Sequence, residues 1–230
     1  MTEPQKSKGA KTLDNGLHVL ELITEHPGEL TLTEVAAKAK IHPTSVHRLI
    51  TSLEAKRLVR RDTQKYLHPG YGLIKLASSV DRVLQATAEP VMQRMTDKIG
   101  ATSHLVVAIS ETEVMAQLVV QPRQSLGHVA FSPGRVDPID HGSAGIAILS
   151  GKTGLEDVSS EVAKARHNGY AVSKGAIIPN VIGISAPIRT PEGIPDSAIG
   201  LSLVTEDDFD LAIAEVKKAA QEIEKRLWRY

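Results

Sequence analysis

The sequence predicts an α+β fold in two parts, on three observations. Near the N-terminus, apolar residues recur at helical spacing in three short runs, followed by a hairpin-like stretch rich in Lys and Arg. From Thr102 onward, β-branched runs are interleaved with helical ones, the pattern of a mainly antiparallel sheet covered by helices. Between the two, His68-Pro69-Gly70 and Glu89-Pro90 set off a short helical stretch. At 230 residues the chain can bury two modest cores.

Residues 1–11 are polar, carry Lys6, Lys8 and Lys11, and predict a flexible arm with nothing to bury. Thr12 suits the N-cap of a first helix with Leu13, Leu17, Leu20 and Ile23 inward, and His26-Pro27-Gly28 stops it. Thr31 and Glu34 have capping-box spacing ahead of Leu32, Val35, Ala36 and Ala39. Lys40-Ile41-His42 breaks that second helix. Pro43 then suits the first position of a third, where a missing N–H costs nothing. In the third helix Val46, Leu49, Ile50 and Leu53 face inward, and Thr44, Ser45, His47, Arg48 and Thr51 face outward. Two short helices joined by a tight turn, the second presenting small polar and basic groups, make a helix-turn-helix that fits a major groove. Leu58-Val-Arg-Arg and Lys65-Tyr-Leu flank Asp62-Thr-Gln as a hairpin wing, giving a winged helix-turn-helix over 12–70.

Charge separates this reading from a plain three-helix core with a solvated basic face. From Lys56 to Tyr66 the chain carries Lys56, Arg57, Arg60, Arg61 and Lys65 against Asp62 alone. Cations crowded on one hairpin edge repel each other unless a polyanion neutralises them, so Arg60, Arg61 and Lys65 are expected to grip a DNA backbone. The formal net charge of zero hides this, since residues 1–70 hold eleven Lys/Arg against eight Asp/Glu and residues 71–230 hold sixteen against nineteen. So small a surplus implies weak binding by one head and useful affinity from two or more. Zero cysteines exclude disulfides, Cys-ligated zinc and thiol chemistry. No apolar run has membrane length, and Met1-Thr-Glu-Pro-Gln-Lys has no signal-peptide core, so a cytoplasmic protein without a membrane partner is expected.

Leu73 to about Leu84 reads as a connector helix, with the connector as a whole over 71–88 and a second domain over 89–230. Val91, Met92, Met95 and Ile99 fit a helix ending at Gly100. Thr102 to Ile109 and Val114 to Val120 read as strands, with a third around 128–132. Ser132-Pro-Gly-Arg and Asp137-Pro-Ile-Asp read as an exposed loop. Helices follow from His141-Gly-Ser-Ala-Gly through Ser150 and from Glu161 to Asn168. Then come strands at Val181 to Ile188 and Ala198 to Val204, and an amphipathic helix from Phe209 to Trp228.

The small-residue turn Gly142-Ser143-Ala144-Gly145 at a helix start can hold an anion on its amides, or can simply let helix and strand pack closely. Gly183 and Ser185, and Gly200 and Ser202, leave room over a sheet face that suits a ligand floor or a docked helix. His104, His128 and His141 lie in the same domain, with Asp140 nearby. Their spacing matches no compact metal motif, and Ser143 lacks a nucleophile elbow, so no metal, cofactor or catalytic residue is assigned. The rival enzyme reading is a hydrolase built on Ser143, His141 and Asp140 with a DNA-binding appendage. A ligand-independent architectural DNA binder is a third.

With these parts in order, the chain resembles the IclR family of bacterial transcriptional regulators from about residue 12 to 228. The resemblance rests on Thr33-Glu-Val-Ala with Thr44-Ser-Val-His-Arg-Leu-Ile, on Leu53-Glu-Ala and the wing, and on Pro138-Ile-Asp-His-Gly-Ser-Ala-Gly-Ile-Ala-Ile-Leu. It rests also on Asn168-Gly-Tyr-Ala, Gly183-Ile-Ser-Ala-Pro-Ile and Ile199-Gly-Leu-Ser-Leu. It implies a winged helix-turn-helix ahead of a GAF-like effector-binding domain, and homodimers that pair into tetramers on double-stranded operator DNA. Carried over by position, the effector pocket would use Leu126, Val129, Ser143, Ala144, Ser173, Gly183, Gly200 and Ser202. The chain departs from the family pattern with Arg57 where glycine is common, Ile146 where lysine is usual, and His68-Pro69 at the wing exit. The expectation is a DNA-binding regulator, repressor rather than activator, controlled by a small organic acid, aromatic ones included.

Overall fold

Val19, Ile23, Val35, Val46, Ile50 and Leu67 are buried together as the centre of an N-terminal core. In the computed structural model, which describes residues 9–78, 80, 82–123, 132–155 and 157–229, the chain divides into two compact units, Met1–Asp81 and Arg82–Tyr230. The first contains α1 (Lys11–Glu25), β1 (Leu30–Thr31), α2 (Leu32–Ala39), α3 (Pro43–Ala55), β2 (Val59–Arg61), β3 (Tyr66–Pro69) and α4 (Gly72–Ala77). Three helices pack around the core, and β1, β3 and β2 form a small antiparallel sheet with β3 central.

The expected capping box is present. The Thr31 amide and hydroxyl both donate to Glu34 Oε2 at 2.7 Å. That backbone hydrogen bond in particular holds the Glu34 carboxyl below its usual range. Helix α1 differs from expectation at its start, because Ala10 rather than Thr12 is the N-cap and no side chain caps it. Its inner stripe also differs. Gly16, Val19 and Ile23 are buried, while Leu13 and Leu17 are 61% and 48% exposed. A leucine reads as inward in a sequence, yet here a glycine takes the interior position, facing Leu49.

The second unit contains α5 (Val83–Ile99), β4 (Thr102–Ala108), β5 (Glu113–Val120), β6 (Val136–Pro138), α6 (Gly142–Gly151), α7 (Ser160–Asn168), β7 (Ala171–Lys174), β8 (Ile182–Ile188), β9 (Ser197–Leu203) and α8 (Phe209–Leu227). The strands form one antiparallel sheet in the order β6-β5-β4-β9-β8-β7. Helices α5 and α8 cover one face, where Leu105, Val107, Ile184, Ile199 and Leu201 are buried. Helices α6 and α7 cover the other, against Val106, Val114 and Ala198. Strand alternation makes the two faces chemically different, and the second carries the polar residues.

Three further differences from the sequence reading concern connections. The single helix expected from Leu73 to Leu84 is instead α4, ending at Ala77, and α5, opening at Val83. No residue of α4 is buried, so it has no packed face along which to extend. Pro90, expected to break the chain, sits inside α5. An interior proline costs about 3 kcal/mol, but Leu84, Val91, Met92 and Met95 are buried on the same helix, each worth roughly 1.5–3 kcal/mol. Packing wins. Finally, β6 and β7 are short strands in stretches with no strand periodicity, and β6 lies where a loop was expected. The strand expected around 128–132 falls mostly outside the described residues, as does most of the expected N-terminal arm.

Two glycines of the first unit predict opposite responses to the same substitution. A Cβ on Gly16 would meet Leu49 at an ordinary 3.6 Å, so Gly16→Ala should stabilise the unit by about 1 kcal/mol through helix propensity. A Cβ on Gly70 would stand 2.2 Å from the Arg57 carbonyl oxygen, so Gly70→Ala should destabilise it. Urea unfolding of the two variants checks both signs.

Candidate nucleic-acid interface and ligand cavity

Helix α3 buries Val46 and Ile50 and leaves Thr44, Ser45, His47, Arg48 and Thr51 exposed, as its 3.6-residue period requires. Among these, Thr51 donates its hydroxyl to the His47 carbonyl at 2.9 Å, so that hydrogen is already engaged within the helix. The wing is a hairpin of β2 and β3 in which Arg60 pairs with His68 and Arg61 with Leu67. Arg60, Arg61 and Lys65 are exposed. Lys65 closes the turn in a left-handed conformation at φ +69°.

Asp62, the anion among the wing's cations, is engaged from three sides. Its Oδ1 accepts the amides of Gln64 and Tyr66, both at 2.9 Å, and Oδ2 lies 2.9 Å from His68 Nε2. The His68 bond, followed by those amides, holds the Asp62 carboxyl below its usual range. Arg61 was expected to grip a DNA backbone, yet its Nε lies 3.4 Å from Glu54 of α3. That pair ties the wing to the last turns of α3. At Arg57, where the resemblance leads one to expect glycine, φ is +61°, a conformation that favours glycine.

In the second unit the ladder lays polar and small residues in two rows across the sheet. One row is His104, Gly200, Ser185 and Ala171, and the next is Thr102, Ser202, Gly183 and Ser173. His104 is 5% exposed. Its Nε2 lies 3.3 Å from Ser185 Oγ and its Nδ1 lies 3.4 Å from Ser202 Oγ. Ser185 Oγ is in turn 2.8 Å from Ser143 Oγ at the start of α6, where the Ser143 amide donates to Ser173 Oγ at 3.0 Å. Burial pushes the His104 imidazole down to about 4, so the ring is neutral at pH 7.

A cavity of about 50 Å³ opens over this network. Ser143, Ala144, Ser173, Gly183 and Ser202 line it, together with His104, Val106, Val114 and the loop residues Ile177, Ile178 and Val181. No Lys or Arg is among its described lining residues; Asp137 is, with its carboxylate gripped by Arg135 at 3.0–3.1 Å. Gly200 differs from expectation, for it lies beneath the network rather than in the wall. A Cβ there would come within 2.3 Å of Ser185 Oγ and 2.4 Å of His104 Nε2. Leu126 and Val129, and with them His128, lie outside the described residues. The sequence suggested that one or two of the three histidines line a pocket or sit satisfied in the core, and His104 does line it. Ser185, read as part of a ligand floor, lies beneath His104 and not in the wall, and the Ile177–Val181 loop had no sequence signal.

The close-packing reading of the glycine turn holds at Gly145, where a Cβ would stand 2.1 Å from the Ile139 carbonyl oxygen. The arrangement a hydrolase would need is not formed at that turn. His141 Nε2 donates to the Ala176 carbonyl at 2.9 Å, while Ser143 bonds to Ser185. Among the described residues no three His, Asp or Glu side chains gather as metal ligands would.

Residues 12–63 match the family model for the IclR helix-turn-helix domain. The chain is 24% identical to the HTH-type transcriptional regulator BhcR of Paracoccus denitrificans, over 97% of this chain and 88% of that protein. It is 23% identical to the HTH-type transcriptional repressor AllR of Escherichia coli, over 98% and 93% respectively. An IclR transcriptional regulator from Alicyclobacillus acidocaldarius shares the fold with a TM-score of 0.78 at 21% identity, covering 94% of this chain and 98% of that one. An IclR homologue from Microbacterium hydrocarbonoxydans, solved in complex with 4-hydroxybenzoate, gives 0.79 at 21% identity, covering 95% and 100%.

The buried imidazole predicts a pH dependence with a definite sign. The unfolded chain has a histidine near 6.5 and the folded one near 4, so the unfolded state takes up the proton first. Stability from this group is complete above about pH 6.5 and is lost as pH falls toward 4, by about 3 kcal/mol in all. Urea unfolding of the C-terminal unit at pH 7 and 4.5 should show the loss, and His104→Gln should flatten it.

Proposed function

Because the chain belongs to the IclR family of transcriptional regulators, we propose that it is a sequence-specific repressor released or engaged by a small organic acid. One observation carries this reading: a single chain holds both an exposed recognition helix with a cationic wing and a second unit with a hydroxyl-lined cavity whose one described carboxylate, Asp137, is paired with Arg135. Thr44, Ser45, His47, Arg48 and Thr51 meet base edges or nearby phosphates, while Arg60 and Lys65 hold the backbone and Arg61 braces the wing beside it. We assign the chain no reaction, and place it in the cytoplasm with double-stranded operator DNA as its partner.

The effector we favour is a carboxylic acid, including aromatic ones such as the 4-hydroxybenzoate held by the Microbacterium homologue. Amides at the start of α6 and the hydroxyls of Ser173 and Ser202, the latter backed by neutral His104, offer donors beside the apolar Val106, Val114 and Ile177. With no cationic side chain among the described lining residues, the acid is held by hydrogen bonds rather than by an ion pair, so its affinity should respond weakly to salt. A 50 Å³ space holds only a few waters, so a ring-sized ligand displaces the Ile177–Val181 side of the wall. Homodimers that pair into tetramers supply the second reading head. The exposed Leu13 and Leu17 on α1, with Tyr71, Ile74 and Leu76 at α4, give such an assembly apolar surface to cover.

Arg48→Ala should weaken binding to selected duplexes by about 1–3 kcal/mol and relax base preference. Arg60→Ala should weaken all duplexes alike and flatten the salt slope. Gel shifts over a salt series measure both, and equal competition by random DNA would replace the repressor with an architectural binder. Calorimetry with a panel of aliphatic and aromatic carboxylic acids tests the effector, and the absence of any saturable heat would remove it.

A further inference from the structure

The first turn of α3 has already engaged its backbone donors. Pro43 has no N–H, Ser45 and Val46 donate to the His42 carbonyl at 2.9 and 3.1 Å, and Thr44 donates to His42 Nδ1 at 3.3 Å. A helix that approaches nucleic acid end-on ordinarily meets phosphate through these amides. Here all of them turn back onto His42.

The bond from Thr44 also fixes the ring. A nitrogen that accepts carries no hydrogen, so the neutral imidazole holds its hydrogen on Nε2. Nε2 lies across the ring from Nδ1, and with Nδ1 against the Thr44 amide it is directed away from the helix backbone. His42 is exposed and stands directly before Thr44, Ser45 and Arg48 on the helix whose N-terminal residues reach DNA first. The imidazole therefore relays the lost amide donor one ring-width outward, at the end of the helix where the dipole favours negative charge.

We propose that His42 is a further DNA contact, donating from Nε2–H to a phosphate of the duplex backbone. Phosphate is favoured over a base edge because it is the anionic acceptor, and the helix field acts on charge. A neutral donor replaces no counterion, so this contact adds affinity without adding to the salt slope. The proposal rests on α3 facing the duplex, which Arg48→Ala probes separately in the same assay.

The test uses the full chain, a duplex it selects from a random-sequence pool, and an unrelated duplex. Serine caps a helix well but cannot reach as far as imidazole, and asparagine serves as a second short cap. His42→Ser and His42→Asn should keep the wild-type unfolding transition while binding both duplexes about tenfold more weakly. The slope of log affinity against log salt should stay at its wild-type value, whereas Arg60→Ala lowers it by about one. Methylphosphonate replacement along the selected duplex should find one phosphate whose loss weakens the wild type and leaves His42→Ser unaffected. Wild-type affinity in both capping variants would reduce His42 to a cap and overturn the proposal. A changed base preference on reselection, or a slope lowered by about one, would overturn it as well.

Discussion

Burying His104 beneath α6 takes an imidazole out of water, and the sheet around it is arranged to offset that cost. The antiparallel register fixes Gly200 beside His104 and Ser185 beside Gly200, so the ring can lie across a strand that has no side chain there. Ser185 and Ser202 then meet the two ring nitrogens, and Ser143 joins the chain from the helix above. Because neutral histidine offers one donor and one acceptor, the hydroxyls along this chain must align in one of two directions. A change of hydrogen-bond direction at Ser143 or Ser202 therefore acts on the whole row, across three strands.

The N-terminal unit depends on a different balance, between holding cations apart and keeping them on one edge. Glu54 engages Arg61, and Asp62 is held by His68 and two amides. Both acids are thereby made part of the scaffold and not left to repel phosphate. Arg60 and Lys65 keep their exposure on the same hairpin. The two acids lower the net charge of the wing while fixing its shape, so affinity is traded for a defined approach to the groove.

The recognition helix, the wing, the capping box and the main strands were legible because each is a local pattern: a period, a cap, or a run of β-branched residues. The pocket was legible only in its small residues. Ser143, Ser173, Gly183 and Ser202 line it, but the polar pair His104–Ser185 could not be recognised until the registers of β4 and β8 with β9 put them on one face. Gly200 was placed one layer too high for the same reason, since sequence shows that a residue is small and not what lies over it. Errors in α1 and α5 arose where tertiary packing overrode local preference, as with exposed Leu13 and the helical Pro90. In β6 and β7 the strands exist by pairing with a neighbour and have no pattern of their own.

Helix α4 is only six residues long and has no buried side chain, well below the roughly 12–15 residues that hold a helix in water unaided. Neither hydrophobic core owns it. Residues could therefore be inserted or deleted near its C-terminal end without disturbing the packing of either unit. Such length changes would leave both cores as they are, so the stretch between the two units is where related chains can differ in length at least cost.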